Sequence, residues 1–589
     1  MSLSKKNHTT KKIMNKPEVI IPEMIEGMLL AHPDLLKLEG KTGRAVVAVD
    51  GPRDGKVGIV VGGGSGHEPA FAGYVGRGLA DAAAVGNVFA SPSPEHIKEA
   101  AMAADGGAGI VFLYGNYTGD VLNFDMAAEE CAAIGIDVCS VAVTDDVASA
   151  PRDKKGERRG IAGDFFVFKI AGAAADQGRS LQEVADAARH ANASTFSMGV
   201  ALSACSMPQT LHPNFEIGPD EMEIGMGVHG EPGMRRAKIE TAEEITDELM
   251  GLILDEMAPA EGEELAVLVN GLGATGLMEL YLIHRRVAQI LSGKKIRIHH
   301  SWVGEYCTSM EMAGASVTLI KLDEDLKSLL DHPCHTPALT VGGTPQPIIG
   351  ATRTTRDYQD AGRIDAVDRT ELKADGIVTP EGFRAMMKAA GAAIAREKDR
   401  LSELDGVIGD GDHGVTMDIG WSAVLEALNS APQEDTISQI CTKSAKAFLD
   451  AVGASSGPLY AGAFNSAGKA VADRLNLDAP SLAAWVEGML KGILGRGGAS
   501  AGDKTMIDAW TPAAEVALKA ANEGANEYEV LEAASLGARS GADATRDMES
   551  RRGRSKKLGA RSVGHIDPGA ESTHVMLKAM HEALTSLKP

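Results

Sequence analysis

The chain has 589 residues, of which 44% are hydrophobic and 24% are charged, and its formal net charge is −23. This length exceeds what one hydrophobic core serves and indicates three or four units of ordinary domain size. The acidic balance argues against a nucleic-acid partner, whose phosphates are bound mainly through Lys and Arg. No window approaches eighteen uninterrupted apolar residues, so the sequence predicts no membrane-spanning helix and no membrane partner.

The N-terminus and the cysteines bear on location. Residues 1–17 are rich in lysine but lack an apolar core of signal-peptide length, so we expect a flexible tail. The six cysteines are scattered without CxxC or Cys/His ligand spacing. This scatter argues against a disulfide framework and against a structural zinc site. We therefore expect a cytoplasmic protein.

The segment 40–210 repeats a pattern of strand, polar turn and helix, which predicts an α/β sheet. Ligands in such sheets usually bind beyond the C-terminal ends of the strands. The first turn is not a dinucleotide-binding fingerprint, because His67 stands where the last glycine belongs. Strands are predicted over 56–61, 109–114 and 138–143, followed by the turns GGGSGHEP, GNYTGD and DD, and helices over 121–134 and 165–175.

A second α/β portion begins near Glu223 with IGMGVHGEPG, where His229 lies between two glycines that leave the turn open to a ligand. A strand is predicted over 265–269, a helix over 277–291, and further strands near Ile296 and Val317. Pro/Gly/Thr-rich sequence from 333 to about 355 then indicates a linker.

From Thr379 onward, long Ala/Leu/Met-rich segments with helical spacing predict an all-helical domain. Glycine-rich stretches interrupt these helices at 453–462 and 495–510. The second stretch imitates a Walker loop around Lys504 but fails the test. Asp503 is inserted before Lys504, and no strand precedes it.

Three aspartates are crowded into residues 405–412. Asp405, Asp410 and Asp412 are separated by glycines that let the backbone fold the carboxylates toward one point. Oxygen ligands are what Mg²⁺ prefers, often shared with phosphates, so the run predicts a metal–nucleotide loop. The alternative is a solvated Asp–Gly turn. An EF-hand is excluded, because Gly414 and Trp421 stand at ligand positions.

Five motifs in one order resemble the single-chain, ATP-dependent dihydroxyacetone kinase family, which includes the erythrulose kinases: GGGSGHEP, NYTGD, GMGVHGEPG, LDGVIGDGDHG and GDKTMIDAW. The resemblance implies an N-terminal α/β ketose-binding domain in two halves over 18–335, a linker over 336–376, and a nucleotide-binding barrel of eight antiparallel helices over 377–589. It also implies ATP and Mg²⁺ as cofactors, a short-chain ketose phosphorylated on a primary hydroxyl, and a homodimer formed through the N-terminal domain.

The resemblance assigns roles in the ketose site. His229 matches the histidine that joins the substrate carbonyl carbon as a hemiaminal, and a neutral imidazole is a competent nucleophile near neutral pH. His67 and Asp120 match a general acid/base pair whose roles could be exchanged. Turn histidines and a helix-capping aspartate are the alternatives. Gly64, Ser65 and Asn116 match groups that bind the ketose hydroxyls.

In the helical domain, Asp405, Asp410 and Asp412 match the metal ligands. Ser455, Ser456 and Gly457 match a phosphate-facing turn at a helix N-terminus. His413 matches a residue that contacts a phosphate, and helix capping is the alternative. Leu459 and Met506 match residues that line the adenine and phosphate pocket, and a place in the core is the alternative. The basic run around Arg551 is either near the phosphates or a solvated loop. The remaining nucleotide-binding candidates are Thr505, Asp567 and Gly569.

Two departures from the family concern the substrate. Gly115 stands where many relatives have a lysine that contacts a substrate hydroxyl, and Glu305 makes the motif near the site's rim more acidic. Both changes predict a longer ketose such as erythrulose. A competing hypothesis is a ketose-sensing scaffold with a degenerate kinase domain, and another is a helical domain that takes phosphate from a phosphotransferase protein. The intact acidic run argues against the first, and the fusion of both domains against the second.

Overall fold

The computed structural model describes residues 10–343, 372–409 and 411–588, which fall into two units that divide between residues 361 and 362. Most of the predicted linker lies outside the described residues. Its flanks belong to the units instead, since Thr340 pairs with His335 in the first unit and Lys373 N–H donates to Asp473 O in the second. The described helices include none long and apolar enough to cross a membrane.

A six-stranded sheet in the order β1-β2-β4-β3-β5-β6 opens the first unit. Strands β3 to β6 are parallel, whereas β1 and β2 form an antiparallel edge. The strands are β1 Leu36–Glu39, β2 Ala45–Ala48, β3 Gly58–Ser65, β4 Ala82–Val88, β5 Ile110–Gly115 and β6 Val138–Val143, and the helices are α1 Ile20–Ala31, α2 Pro94–Ala104, α3 Thr118–Ala133, α4 Asp164–Asp176 and α5 Leu181–Ser194. The predicted helices and strands are present, with ends shifted by up to four residues.

The second sheet has the order β11-β10-β12-β7-β8-β9, with only β10 and β11 parallel. Its strands are β7 Thr195–Ala201, β8 Glu221–Ile224, β9 Arg235–Lys238, β10 Glu264–Gly271, β11 Arg297–Gly304 and β12 Gly314–Leu322, its helices are α6 Ala242–Met257, α7 Leu277–Gly293 and α8 Glu324–Asp331, and a small hairpin joins β13 Cys334–His335 to β14 Thr340–Val341. The sequence boundary near residue 210 was wrong, because β7 pairs with β12 and belongs to this sheet.

Helix α4 joins the two halves of the first unit. Phe165, Phe166 and Phe168 are wholly or almost wholly buried, and one hydrophobic cluster runs from the first sheet through this helix to the second. The Phe165 ring lies 5.2 Å from Trp302 and 5.0 Å from Tyr306, measured between centroids. Buried aromatic rings contribute heavily to such a core. The turns that follow β3 and β8 are therefore held on a common scaffold.

Residues 10–12 correct the expectation of a flexible tail over 1–17. Thr10 N–H donates to Leu211 O at 3.0 Å, and Lys12 Nζ donates to Glu311 Oε2 at 2.5 Å. Residues 1–9 lie outside the described part of the chain. Thr10 and Lys12 are therefore bound to the rest of the first unit.

The second unit is a closed ring of eight helices within residues 372–409 and 411–588. Each helix contacts the next in sequence, and the last packs on the first, as expected of the antiparallel barrel. Many helices begin at a side-chain cap, such as Thr436 and Asn526. The helices are α9 Pro380–Ile408, α10 His413–Ser430, α11 Ile437–Ala451, α12 Ser456–Ala470, α13 Ala479–Gly497, α14 Ile507–Asn522, α15 Glu527–Ala544 and α16 Pro568–Ser586.

Candidate active site

Two buried histidines from different sheets meet in the first unit. His67 lies in the turn after β3, and His229 lies in the turn between β8 and β9. Their Nε2 atoms are 3.1 Å apart, and their side chains are almost fully buried. The fold thus brings together two residues that the sequence predicts to act on the same substrate.

The hydrogen bonds at the other nitrogens orient both imidazole rings. His67 Nδ1 lies 2.8 Å from Thr308 O, and His229 Nδ1 lies 2.9 Å from Glu231 Oε1. A carbonyl oxygen and a carboxylate can only accept, so both Nδ1 atoms carry hydrogen. The Glu231 carboxylate also accepts from the backbone N–H of His229 at 3.0 Å. The lone-pair side of His229 Nε2 is thereby turned toward His67.

Aromatic rings form walls around the pair. Phe89 stacks on His67 with centroids 5.0 Å apart and meets His229 edge-on at 5.1 Å. Tyr117 meets His229 edge-on at 4.7 Å. A Cβ on Gly115 would lie 3.2 Å from the Tyr117 ring, tighter than most contacts. The missing side chain at Gly115 therefore gives the Tyr117 ring its room beside His229.

A buried ion-pair network supports Glu231. Arg159 Nε donates to Asp146 Oδ2 at 2.8 Å, its Nη2 donates to Gly225 O at 3.0 Å, and its Nη1 lies 3.9 Å from Glu231 Oε2. Burial disfavours the charged guanidinium, but Asp146 and Glu231 outweigh this and raise the Arg159 pKa. Sequence reasoning missed this network. Glu231 stood in the histidine motif and Asp146 at a strand end, but nothing in the pattern marked Arg159.

The other predicted ketose-site residues are held by local structure. Asp120 is buried as the third residue of α3, and the helix-capping position belongs to Tyr117. Ser65 Oγ donates to Gly86 O at 2.8 Å. Asn116 Nδ2 donates to Gly156 O and Arg158 O at 3.0 and 2.7 Å. A Cβ on Gly64 would lie 2.7 Å from Ala90 N, so this strand end needs glycine.

The acidic run of the second unit is part helix and part turn, whereas the sequence predicted a loop throughout. Helix α9 continues to Ile408 and includes Asp405 in its last turn. Asp405 Oδ2 accepts from the backbone N–H groups of Asp412 and His413 at 3.0 and 3.1 Å. A Cβ on Gly409 would collide with Asp405 Oδ1. Asp410 lies outside the described residues.

The charges in this region suit a cation. Burial, and then the negative charge of Asp405, raise the pKa of Asp412. Burial raises the pKa of Asp567 to about 7, with Asp405 and Asp508 adding to the effect. Hard carboxylate oxygens brought together in this way fit Mg²⁺. Among the described residues, which exclude Asp410, no three Asp, Glu, His or Cys side chains converge as a complete metal cage.

Several predicted nucleotide-binding residues stand at helix N-termini. Ser455 and Ser456 begin α12, Met506 precedes α14, and Asp567 caps α16 by accepting from Ala570 N–H at 2.8 Å. Such ends present free N–H groups and a partial positive charge to phosphates. A Cβ on Gly457 would collide with Val452 O, so this turn requires glycine.

Contacts between these elements show which N-termini are neighbours. His413, the first residue of α10, places Nε2 3.0 Å from Ser572 Oγ near the start of α16. A Cβ on Gly569 would lie 3.3 Å from Met506 Cβ. Thr505 N–H donates to Asp508 Oδ2 at 2.8 Å, and Leu459 is partly buried against the core. The starts of α10, α14 and α16 therefore adjoin.

Lys504 has a different role from a Walker lysine. It is 1% exposed, and its Nζ donates to the carbonyl oxygens of residues 545, 548, 562 and 565 at 2.6–3.2 Å. The basic segment is tied to the same region, since Arg552 Nη2 donates to Gly498 O at 2.7 Å. The rejection of a Walker loop is thus supported by contacts that commit the ammonium group to the protein's own backbone.

The matches to known proteins extend over almost the whole chain. Residues 26–338 match the Dak1 domain model, and residues 407–582 match the DAK2 domain model. The chain is 37% identical over 579 residues to the L-erythrulose 1-kinase of Mycolicibacterium smegmatis, covering 97% of this chain and 99% of the relative. It is 32% identical to the triokinase/FMN cyclase of Rattus norvegicus, covering 98% and 99% of the two chains.

A solved structure matches over the same extent. The crystal structure of the dihydroxyacetone kinase from C. freundii in complex with AMP-PNP and Mg²⁺ is 30% identical, with a TM-score of 0.52, and the match covers 97% of this chain and 99% of that one. The fold class predicted from sequence, an α/β domain in two halves followed by a helical barrel, is confirmed by this likeness and by the two domain matches.

Proposed function

The chain belongs to the dihydroxyacetone kinase family and is a phosphotransferase that acts on an alcohol group with ATP and Mg²⁺, and we propose that it holds a four-carbon ketose covalently on His229. The observation that carries the proposal is the buried His67–His229 pair, in which Glu231 occupies Nδ1 of His229 and leaves Nε2 as the nucleophile. Covalent capture requires a ketone or aldehyde carbon, so a polyol such as glycerol is rejected chemically.

Catalysis in the ketose site is assigned to three side chains. His229 Nε2 attacks the carbonyl carbon, and His67 donates a proton to the carbonyl oxygen. Once His67 has lost that proton, it or Asp120 can accept the proton of the primary hydroxyl that attacks the phosphate. The aromatic walls formed by Phe89 and Tyr117 exclude water from this exchange.

We assign the binding of ATP, the phosphate donor, to the second unit. Asp405, Asp410 and Asp412 would hold Mg²⁺, which neutralises charge on the phosphates when bound. The N–H groups at the starts of α12, α14 and α16 would bind the nucleotide. The nucleotide-binding residues we propose are His413, Ser455, Ser456, Gly457, Leu459, Thr505, Met506, Asp567 and Gly569.

Erythrulose is the ketose we favour. In the resemblance to the family, many relatives have a lysine at the position of Gly115, so this chain has no charged donor to a substrate hydroxyl there. Tyr117 lines the space beside His229. Relatives named as L- and D-erythrulose kinases are 36–37% identical over almost the full chain. Similarity to kinases over 97–98% of the chain, including the helical second unit, favours an enzyme over the non-enzymatic scaffold.

Homodimerisation through the first unit is a further part of the proposal. Leu277, Met278, Tyr281 and Leu282 lie on one face of α7 and are 50–78% exposed. A contiguous apolar patch of this kind suits an interface between two copies. Light scattering should give a dimer mass for the wild type and a smaller mass for Tyr281→Glu/Leu282→Glu.

A cytoplasmic location is proposed because all six cysteines are free thiols.

Two measurements test the function. Comparison of kcat/KM for dihydroxyacetone, D-erythrulose and L-erythrulose with ATP and Mg²⁺ should favour one erythrulose enantiomer, and a clear preference for dihydroxyacetone would overturn the substrate assignment. Borohydride trapping followed by peptide mass spectrometry should locate the ketose on His229. An active enzyme with no adduct, or with the adduct on another residue, would overturn covalent capture by His229.

A further inference from the structure

We propose that Glu231 is a positioning residue for His229, held in place by Arg159 and Asp146, and that it selects Nε2 as the only nitrogen that attacks the ketose. The inference rests on the proposed covalent function. Glu231 touches neither ketose nor nucleotide in this role. It acts through the Nδ1–H and the backbone N–H of His229, which its two carboxylate oxygens accept at 2.9 and 3.0 Å.

The hydrogen-bond pattern determines how many protons the histidine pair holds. Both Nδ1 atoms carry hydrogen, because Thr308 O and Glu231 Oε1 only accept. The Nε2 atoms are 3.1 Å apart, a hydrogen-bond distance, so one proton lies between them. The pair therefore carries one positive charge, and the Glu231 carboxylate beside it carries the compensating negative charge.

This arrangement balances the capture step. As the ketose enters, the shared proton stays on His67 Nε2, and the lone pair of His229 Nε2 forms the C–N bond. The π electrons of the carbonyl move to its oxygen, which takes the proton from His67. His67 becomes neutral, and His229 becomes an alkylated imidazolium whose Nδ1–H still faces Glu231. The positive charge moves from the histidine pair onto His229 without leaving the carboxylate that stabilises it.

Arg159 keeps the carboxylate in this position. Its guanidinium is anchored on Asp146 and on Gly225 O, and its Nη1 faces Glu231 Oε2. A Cβ on Gly227 would lie 2.5 Å from Arg159 Nη1 and would collide with Glu231 Oε2. The glycine two residues before His229 thus lets the ion pair pack directly against the backbone of the turn. A buried carboxylate without such a partner would tend to take up a proton.

The variant Glu231→Gln separates positioning from simple packing. The amide has nearly the same shape but only one acceptor oxygen for the two donors of His229. When that oxygen accepts from the backbone N–H, the NH₂ group faces Nδ1 and drives the hydrogen of the ring to Nε2. Glu223→Gln is the matched control. Glu223 is also buried and accepts from Gly233 N–H and Arg236 Nε, both at 3.0 Å, but it lies on β8 and its carboxylate hydrogen-bonds neither histidine.

Two readouts are taken on each full-length variant. Nitrogen-15 NMR of protein labelled at histidine, with His229→Asn to assign the signal, reports which ring nitrogen carries hydrogen. Borohydride trapping with erythrulose reports the rate of adduct formation. In Glu231→Gln we expect a population with hydrogen on Nε2 of His229 and adduct formation slowed by at least about 10²-fold, since a catalytic histidine held wholly in the wrong tautomer costs about 10⁴-fold. Glu223→Gln should match the wild type in both.

The outcomes distinguish this inference from the proposed function. If the wild type forms the His229 adduct and Glu231→Gln keeps both the wild-type tautomer and the wild-type trapping rate, the inference is overturned while the function stands. If Glu223→Gln changes the tautomer of His229 and the trapping rate as much as Glu231→Gln does, both variants act by disturbing the turn. The inference that Glu231 positions His229 is then wrong. If the active wild type forms no adduct, the covalent function itself fails. Arg159→Lys should slow trapping less than Glu231→Gln, and a rate equal to the wild type would remove Arg159 from the network.

Discussion

The candidate sites of the two units are built on opposite principles. In the ketose site the polar groups are matched within the protein, since His67, His229, Glu231 and Arg159 each meet a group of complementary charge or hydrogen-bonding character. In the nucleotide site, burial and the negative charge of Asp405 raise the pKa of Asp412 and of Asp567, and helix N-termini adjoin. The polar groups of the ketose site therefore balance one another without a ligand, whereas those of the nucleotide site are suited to bind a cation and an anion.

The prediction with the largest expected effect tests whether the ketose site and the nucleotide site work independently. Asp412→Asn should lower kcat by about 10³-fold or more, because Asp412 is a proposed Mg²⁺ ligand and the loss of its charge would remove electrostatic stabilisation of phosphoryl transfer. The rate of ketose trapping on His229 should stay unchanged. Steady-state kinetics and borohydride trapping measure the two quantities.

Asp418→Asn is the control, since this residue lies on α10 and pairs at 3.7 Å with Lys398 on α9. It should retain most of the wild-type kcat. If the rate of ketose trapping and kcat both fell in Asp412→Asn, ketose capture would depend on the nucleotide site. The two sites would then not be independent.

The second largest effect concerns Lys504, a buried cation of the nucleotide unit. Lys504→Met should lower the melting temperature of the second unit by about 10 °C, because four carbonyl groups lose a buried charged donor at a cost of about 3–5 kcal/mol. The transition of the first unit should not move. Differential scanning calorimetry measures both.

Lys519→Met is the matched control, because Lys519 lies on neighbouring α14 with its side chain 73% exposed. It should leave both transitions within about 1 °C. If Lys504→Met melts like the wild type but binds ATP weakly, the ammonium group serves the nucleotide instead of the backbone, and the structural role assigned to Lys504 is wrong.

Local signals in the sequence are sufficient for most single elements. The strand predicted over 138–143 is β6 itself, and the helix predicted from residue 277 begins there. Alternation, helical spacing and turn residues act over a few residues, so they are visible in the sequence itself. The histidine motif likewise contains Glu231, two residues after His229, so both partners of this hydrogen bond lie within one short stretch of sequence.

Long-range pairing and packing could not be predicted in this way. Strand β7 follows the first α/β segment in sequence but pairs with β12, more than 100 residues away. Arg159 has no pattern of its own, and its place between Asp146 and Glu231 arises only when the turns after β6 and β8 meet. Asp405 lies in a helix although Gly406 and Gly409 favour a loop, because packing outweighs a propensity cost of about 1 kcal/mol.

A ligand titration sharpens the comparison further. ATP with Mg²⁺ should raise the melting temperature of the second unit by about 5 °C near saturation, since binding at about 100 times Kd contributes about 2.7 kcal/mol. Erythrulose should raise only the first transition. ATP with EDTA should give a much smaller shift than ATP with Mg²⁺. Equal shifts with and without the metal would show that the acidic run does not need a cation to bind nucleotide.

The smallest expected effect lies at Gly115, next to the Tyr117 ring in the first unit. Gly115→Lys should change the ratio of kcat/KM for erythrulose over dihydroxyacetone by about tenfold toward dihydroxyacetone, because the new side chain restores a charged donor and narrows the space beside His229. Gly115→Ala is the steric control. Its Cβ would lie 3.2 Å from the Tyr117 ring and offer no donor, so a shift of about twofold is expected. If alanine and lysine change the ratio equally, displacement of Tyr117 determines substrate choice. If neither changes it, selection of the ketose depends on groups outside this turn, and the matched polar network around His229 becomes the first place to search for them.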